Sequence, residues 1–165
     1  MACYAPLLVN VNPGGRQWSL NLIGYDALDV FGSPSYYAQK MFAENLGNRT
    51  VPLTLSNVPT QSKESRTLPG LFASATRDTK TGGLYLKLVN ALPTAQEVAF
   101  TIRGGSIAAD GTMTVLRSDD LKAMNSIQEP KKVTPVKSNV SGLGGAFQRT
   151  LPGYSVSVLA LRALR

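Results

Sequence analysis

A chain of 165 residues, 43% hydrophobic and 16% charged, is long enough to bury a working core and too poor in charge for a disordered or coiled-coil protein. Its net charge of +7 is spread from Arg16 to Arg165 without a dense basic block, which argues for a solvated basic surface and against a nucleic-acid site. With no histidine and a single cysteine, Cys3, the composition excludes a Ser/His/Asp or Cys/His catalytic centre, an internal disulfide and a His/Cys metal cluster.

In chain order, residues 4–10 form a continuous apolar run ended by Asn12, Pro13, Gly14 and Gly15, which predicts a strand buried on both faces, as in a parallel sheet. Cys3 beside this run reads as a buried structural thiol. Residues 18–30 fit either a helix or an irregular segment. Residues 33–46 are the helix candidate: Ser33 caps it, Pro34 takes the favoured first position, and Gly47 ends it. Tyr37, Met41 and Phe42 line one face at helical spacing and read as core.

After Asn48 the pattern changes to period two. Residues 51–55 alternate, 57–69 read as a polar loop, and strands are expected at 71–77, 84–90, 97–103, 112–117, 133–140, 146–151 and 154–161. Asp78 to Gly83 is a hairpin connection, and Asp110-Gly111 a second turn. Residues 119–132 read as a long loop against the edge of a sandwich. The expected fold is mainly β: an antiparallel, jelly-roll-like β-sandwich.

The order and spacing of several pieces carry a resemblance. Tyr4-Ala5-Pro6-Leu7, Val9-Asn10, the stretch from Trp18 to Ile23 and Gly32-Ser33-Pro34-Ser35-Tyr36-Tyr37 resemble the last β/α unit of the barrel in α-L-arabinofuranosidases of glycoside hydrolase family 51. The later pieces resemble that family's C-terminal β-sandwich: Ala73 to Asp78, Lys87-Leu88-Val89-Asn90, Asn125-Ser126, Pro130 to Val136, and Leu151 to Leu159. The resemblance implies a remnant β/α unit of a TIM barrel over 1–50 and a sandwich domain over 51–165. The parent reaction it implies is retaining hydrolysis of terminal arabinofuranosyl groups from arabinan, arabinoxylan or their oligosaccharides.

Such a reaction needs two carboxyl groups about 5 Å apart. Of the ten acidic residues, Asp26 and Asp29 fall in the barrel-like segment, and neither has the family's catalytic context. Both catalytic glutamates are therefore expected upstream of Met1, and the chain by itself is expected to be inactive. The loop after the first strand should lie at the barrel rim, where such active sites form. There Trp18 is read either as a ring stacking on a sugar or as packing at the barrel end. Asn12 and Asn21 are candidates for hydrogen bonds to sugar hydroxyls, with Asn12 also fitting a turn before Pro13-Gly14; the family often carries an aspartate at the position of Asn21.

No cofactor or metal is expected. The expected partners are an arabinose-containing polysaccharide or oligosaccharide, reached through the parent enzyme, and a barrel domain or a second copy; neither nucleic acid nor membrane is among them. The start lacks the features of a signal peptide, no apolar stretch approaches the roughly 20 residues of a membrane span, and the location is left open. Two rival readings stand beside this one. A stand-alone carbohydrate-binding module would present a row of exposed aromatics among Phe72, Tyr85, Phe100, Phe147 and Tyr154. A purely structural piece would have no activity of its own.

Overall fold

The computed structural model describes residues 3–15, 21–63 and 65–164. In chain order its elements are β1 (Leu8–Asn10), β2 (Ile23–Tyr25), β3 (Val30–Gly32), α1 (Pro34–Glu44), β4 (Arg49–Val51), β5 (Thr60–Lys63), β6 (Arg66–Pro69), β7 (Leu71–Arg77), β8 (Gly83–Asn90), β9 (Gln96–Thr101), β10 (Gly111–Arg117), β11 (Val136–Val140), β12 (Ala146–Leu151) and β13 (Ser155–Arg162). The main layer is an antiparallel sheet ordered β11-β10-β13-β8-β7-β4, and the pair β12-β9 packs against one of its faces. This is the expected β-sandwich.

The large sheet is covered on both faces because its central strands are apolar on both. Leu84, Leu86 and Leu88 of β8 and Leu159 and Leu161 of β13 meet Phe147 and Leu151 of β12. The intervening residues turn the other way, where Val158 of β13 and Leu116 of β10 meet Met41 of α1 and Val133. Val158 and Leu159, at 1% and 0% exposure, are therefore neighbours in sequence and belong to different cores. Burying such a side chain stabilises the fold by roughly 2 kcal/mol.

Helix α1 begins where its cap predicts: Ser33 is extended, its Oγ accepts the Tyr36 N–H at 3.2 Å, and Pro34 follows. Its end differs from the expectation. Asn45 closes the helix, with its side-chain amide donating to the Met41 carbonyl at 2.8 Å. Gly47 serves instead a close approach, since a Cβ there would lie 2.4 Å from the carbonyl of Arg77.

Other expectations are corrected by the structure. In 51–55 only Val51 belongs to a strand, because Pro52 has no N–H for the ladder. The polar stretch 57–69 contains the β5–β6 hairpin, a pairing that alternation of apolar residues could not reveal. The strand expected at 133–140 starts at Val136, since Pro135 lacks a donor and Val133 is held by a side chain, as described below. Residues 23–25 and 30–32, left between helix and irregular, are strands β2 and β3. The turn at 78–83 is as predicted: Asp78 accepts from the Lys80 N–H at 2.8 Å and the Thr81 hydroxyl at 2.8 Å, and Gly82 supplies φ +76°.

Candidate functional site

Strand β1 pairs in parallel with β2, and β2 pairs with β3 in antiparallel fashion, so the candidate rim loop rises from a small mixed sheet. Val9 points inward at 6% exposure, while Leu7 and Leu8 are 55% and 57% exposed. Within this chain the strand is thus covered on one side only, which corrects the expectation of burial on both. Cys3 is exposed rather than buried, because it precedes the residues at which sheet pairing begins.

The structure separates the candidate residues. Asn12 is exposed in a turn: its N–H donates to Asn10 Oδ1 at 2.9 Å and its carbonyl accepts from the Gly15 N–H at 2.9 Å. Its side chain is therefore open to solvent. Asn21 is 1% exposed, in the layer beneath β2 and β3, where its amide nitrogen comes within 3.2 Å of the position a Cβ would take at Gly24. Trp18 lies outside the described residues.

The Asp26 carboxylate near this sheet is spent on local structure. Asp26 Oδ1 accepts from the N–H groups of Leu28 at 2.8 Å and Asp29 at 2.7 Å, closing the turn between β2 and β3. Those two bonds hold its carboxyl below the usual range. That is opposite to what a general acid for glycoside cleavage requires. Elsewhere Glu44 pairs with Lys40, Asp119 with Arg117, and Glu129 with Lys132. Among the described residues there is no cluster of three or more His, Cys, Asp or Glu able to hold a metal, and no helix long and apolar enough to cross a membrane.

The sequence motifs did not disclose a polar joint that locks this segment to the sandwich. Asn125, 3% exposed, donates from Nδ2 to the carbonyls of Gly32 at 2.8 Å and Val133 at 3.0 Å, and its Oδ1 accepts the Val133 N–H at 2.7 Å. Residues 119–132 thus form a strap tied back to the end of β3. A second buried amide, Asn90, donates to the carbonyls of Thr94, Leu151 and Pro152 and accepts the Leu92 N–H, joining the β8–β9 and β12–β13 connections. Of the sandwich aromatics, Phe100 and Phe147 stack on each other at 4.9 Å between the layers, so neither offers a face to a glycan.

A family model described as the α-L-arabinofuranosidase C-terminal domain matches residues 1–155. The chain belongs to that family. It is 39% identical over 162 residues to a probable α-L-arabinofuranosidase A of Aspergillus flavus, covering 97% of this chain and 23% of that protein. It is 30% identical over 163 residues to α-L-arabinofuranosidase 1 of Arabidopsis thaliana, covering 95% of this chain and 22% of that one. The arabinose-bound structure of the α-L-arabinofuranosidase MgGH51 superposes with a TM-score of 0.84 at 34% identity, covering 98% of this chain and 24% of that chain. The arabinose complex of the Thermotoga maritima enzyme, at 20% identity and a TM-score of 0.75 over 87% of this chain and 32% of its own, shows the fold alone. This C-terminal-domain chain spans about a quarter of the length of the curated relatives it matches, 23% in the Aspergillus flavus case.

Proposed function

We propose that this chain serves as the C-terminal portion of an α-L-arabinofuranosidase, supporting a catalytic barrel without supplying its catalytic carboxyls. The parent reaction is retaining hydrolysis of terminal α-L-arabinofuranosyl residues from arabinan or arabinoxylan. Residues 1–50 add the last barrel unit and 51–165 the sandwich that braces it, with β4 straddling the division. The observation that carries this reading is the 39% identity to an arabinofuranosidase across 97% of the chain, over only 23% of that protein's length. The geometry supports it: Leu8 and Val30, on one face of the small sheet by its register, leave an exposed apolar surface suited to further barrel elements, while Asp26 is committed to a turn and Glu44, Asp119 and Glu129 to ion pairs. In this reading Asn12, open to solvent in its turn, and Trp18 are the residues that meet substrate, and buried Asn21 is not in direct reach of it.

The test begins with the nucleotide sequence upstream of the Met1 codon. A frame continuing through a barrel with two strand-borne glutamates is expected. The product of that frame should cleave a chromogenic aryl α-L-arabinofuranoside with retention at the anomeric carbon, and the 165-residue chain should not. Hydrolysis by the short chain would overturn the supporting role. A long product that leaves arabinofuranosides intact would overturn the arabinofuranosidase reading.

A further inference from the structure

A groove of about 580 Å³ runs between α1 and the β10–β11 end of the large sheet. Its floor is Thr112 and Thr114, alternate residues of β10 and hence on one face of the sheet. Tyr37 stands on the helix side, and Lys131, Thr134 and Lys137 stand on the other. Lys137 lies directly across from Thr114 in the β10–β11 register.

The charges of the groove are unbalanced. Lys40 and Glu44 border it and neutralise each other along the helix. Lys132 is taken by Glu129 on the strap. Lys131 and Lys137 are exposed, and among the described residues neither forms an ion pair. Two uncompensated ammonium groups therefore face one bounded cleft whose remaining polar lining is hydroxyl-rich and which holds one aromatic ring.

We propose that this groove binds the uronate sugars of an acidic polysaccharide. A carboxylate placed between Lys131 and Lys137 gains charge-assisted hydrogen bonds from both. The hydroxyls of Thr112, Thr114 and Thr134 match the dense hydroxyls of a sugar, and the ring of Tyr37 suits the apolar face of a pyranose. Non-specific single-stranded nucleic acid would call for a continuous basic track with successive stacking rings. This cleft has a single ring, and its free cations are confined to one wall. The inference goes beyond the proposed function, because it requires no hydrolysis and no residue of the rim loop.

The test is affinity electrophoresis and calorimetric titration of the whole chain with a short oligogalacturonate. The same oligomer with its carboxyls methyl-esterified and a single-stranded DNA of equal charge serve as competitors. Oligogalacturonate is expected to bind and the methyl ester not to. The double variant Lys131→Gln/Lys137→Gln should weaken binding by about a hundredfold, roughly tenfold per charge-assisted contact. The control Lys80→Gln/Lys122→Gln removes the same charge from lysines that do not line the groove, and should leave the affinity unchanged. Equal binding of the methyl ester, equal loss in the control variant, or DNA binding as tight as the uronate would each overturn the proposal. Arabinofuranosidase activity of the longer enzyme is measured separately, so its absence would refute the proposed function without touching this result.

Discussion

Ser157 is fully buried on β13, and among the described residues its hydroxyl has no hydrogen-bond partner. It occupies the row that continues into Leu159 and Leu161, so the sandwich holds a polar group where an apolar one fits. A hydroxyl buried without a partner costs more than the bond it fails to make. Ser157→Ala should therefore raise the urea midpoint, by about 1 kcal/mol in unfolding free energy, with an unchanged denaturant slope. Lys87 is the other anomalous core residue. It is 8% exposed, with Nζ 5.4 Å from the centroid of the Phe42 ring, and burial pushes its pKa below the ordinary lysine value. Below both the folded and the unfolded pKa the lysine is charged in each state, and the folded state carries the desolvation cost. As pH rises through the depressed folded value toward the unfolded value of about 10.4, the unfolded chain holds more protons, so stability rises with pH. Lys87→Met should be at least as stable at neutral pH and should lose that rise; pH-resolved urea melts of the two proteins check the difference.

At the scale of elements, the decisive contacts are joints between segments distant in sequence. Asn125 ties its strap to β3 and to Val133 through three hydrogen bonds. Asn125→Ala would leave the Val133 N–H and two carbonyls unpaired in a buried place, and should cost about 3 kcal/mol. Amide hydrogen exchange should localise the loosening to Val133 and the strap, and uniform loosening would contradict the joint. Gly47 lets the chain leaving α1 pass close to the backbone of Arg77 on β7. Gly47→Ala should destabilise by about 2 kcal/mol in thermal unfolding, because backbone atoms must move to admit the methyl. The helix was legible from Ser33 and Pro34, whose effects are local. The function of Gly47 was not, because a glycine after a helix has a local explanation that hides the contact made thirty residues later. The hairpin at 60–69 is hidden for a related reason: its strands are polar and largely exposed, so pairing leaves no apolar alternation in the sequence.

Over the whole molecule, a sandwich covered on both faces stands beside a small sheet whose outer apolar side chains are open. Leu8 and Val30 of that sheet, and Leu7 and Leu28 flanking its strands, are all more than half exposed, and among the described residues the outer edge of β1 has no partner strand. Apolar edges of this kind associate. The isolated chain is expected to self-associate with rising concentration in sedimentation velocity, and Leu7→Glu/Leu8→Glu to shift it toward monomer without altering its thermal unfolding. A wild-type chain that stays monomeric would refute this use of the face.

The strands at 71–77, 84–90 and 146–151, the capped helix start, the Asp78 turn and the sandwich class are legible before any fold is known, because each follows from nearest-neighbour periodicity or from a side chain bonding its own backbone. The family relation was legible in the same way, from motifs in fixed order. Long-range packing, by contrast, sets that Asn21 is buried while Asn12 is open, that Cys3 is exposed, that Asn125 and Asn90 are interior joints, and that Lys131 and Lys137 share one groove with Tyr37. The physical reason is common to all of these. Asparagine, cysteine and lysine have no periodic signature, and their environment is set by which distant backbone or side chain folds against them.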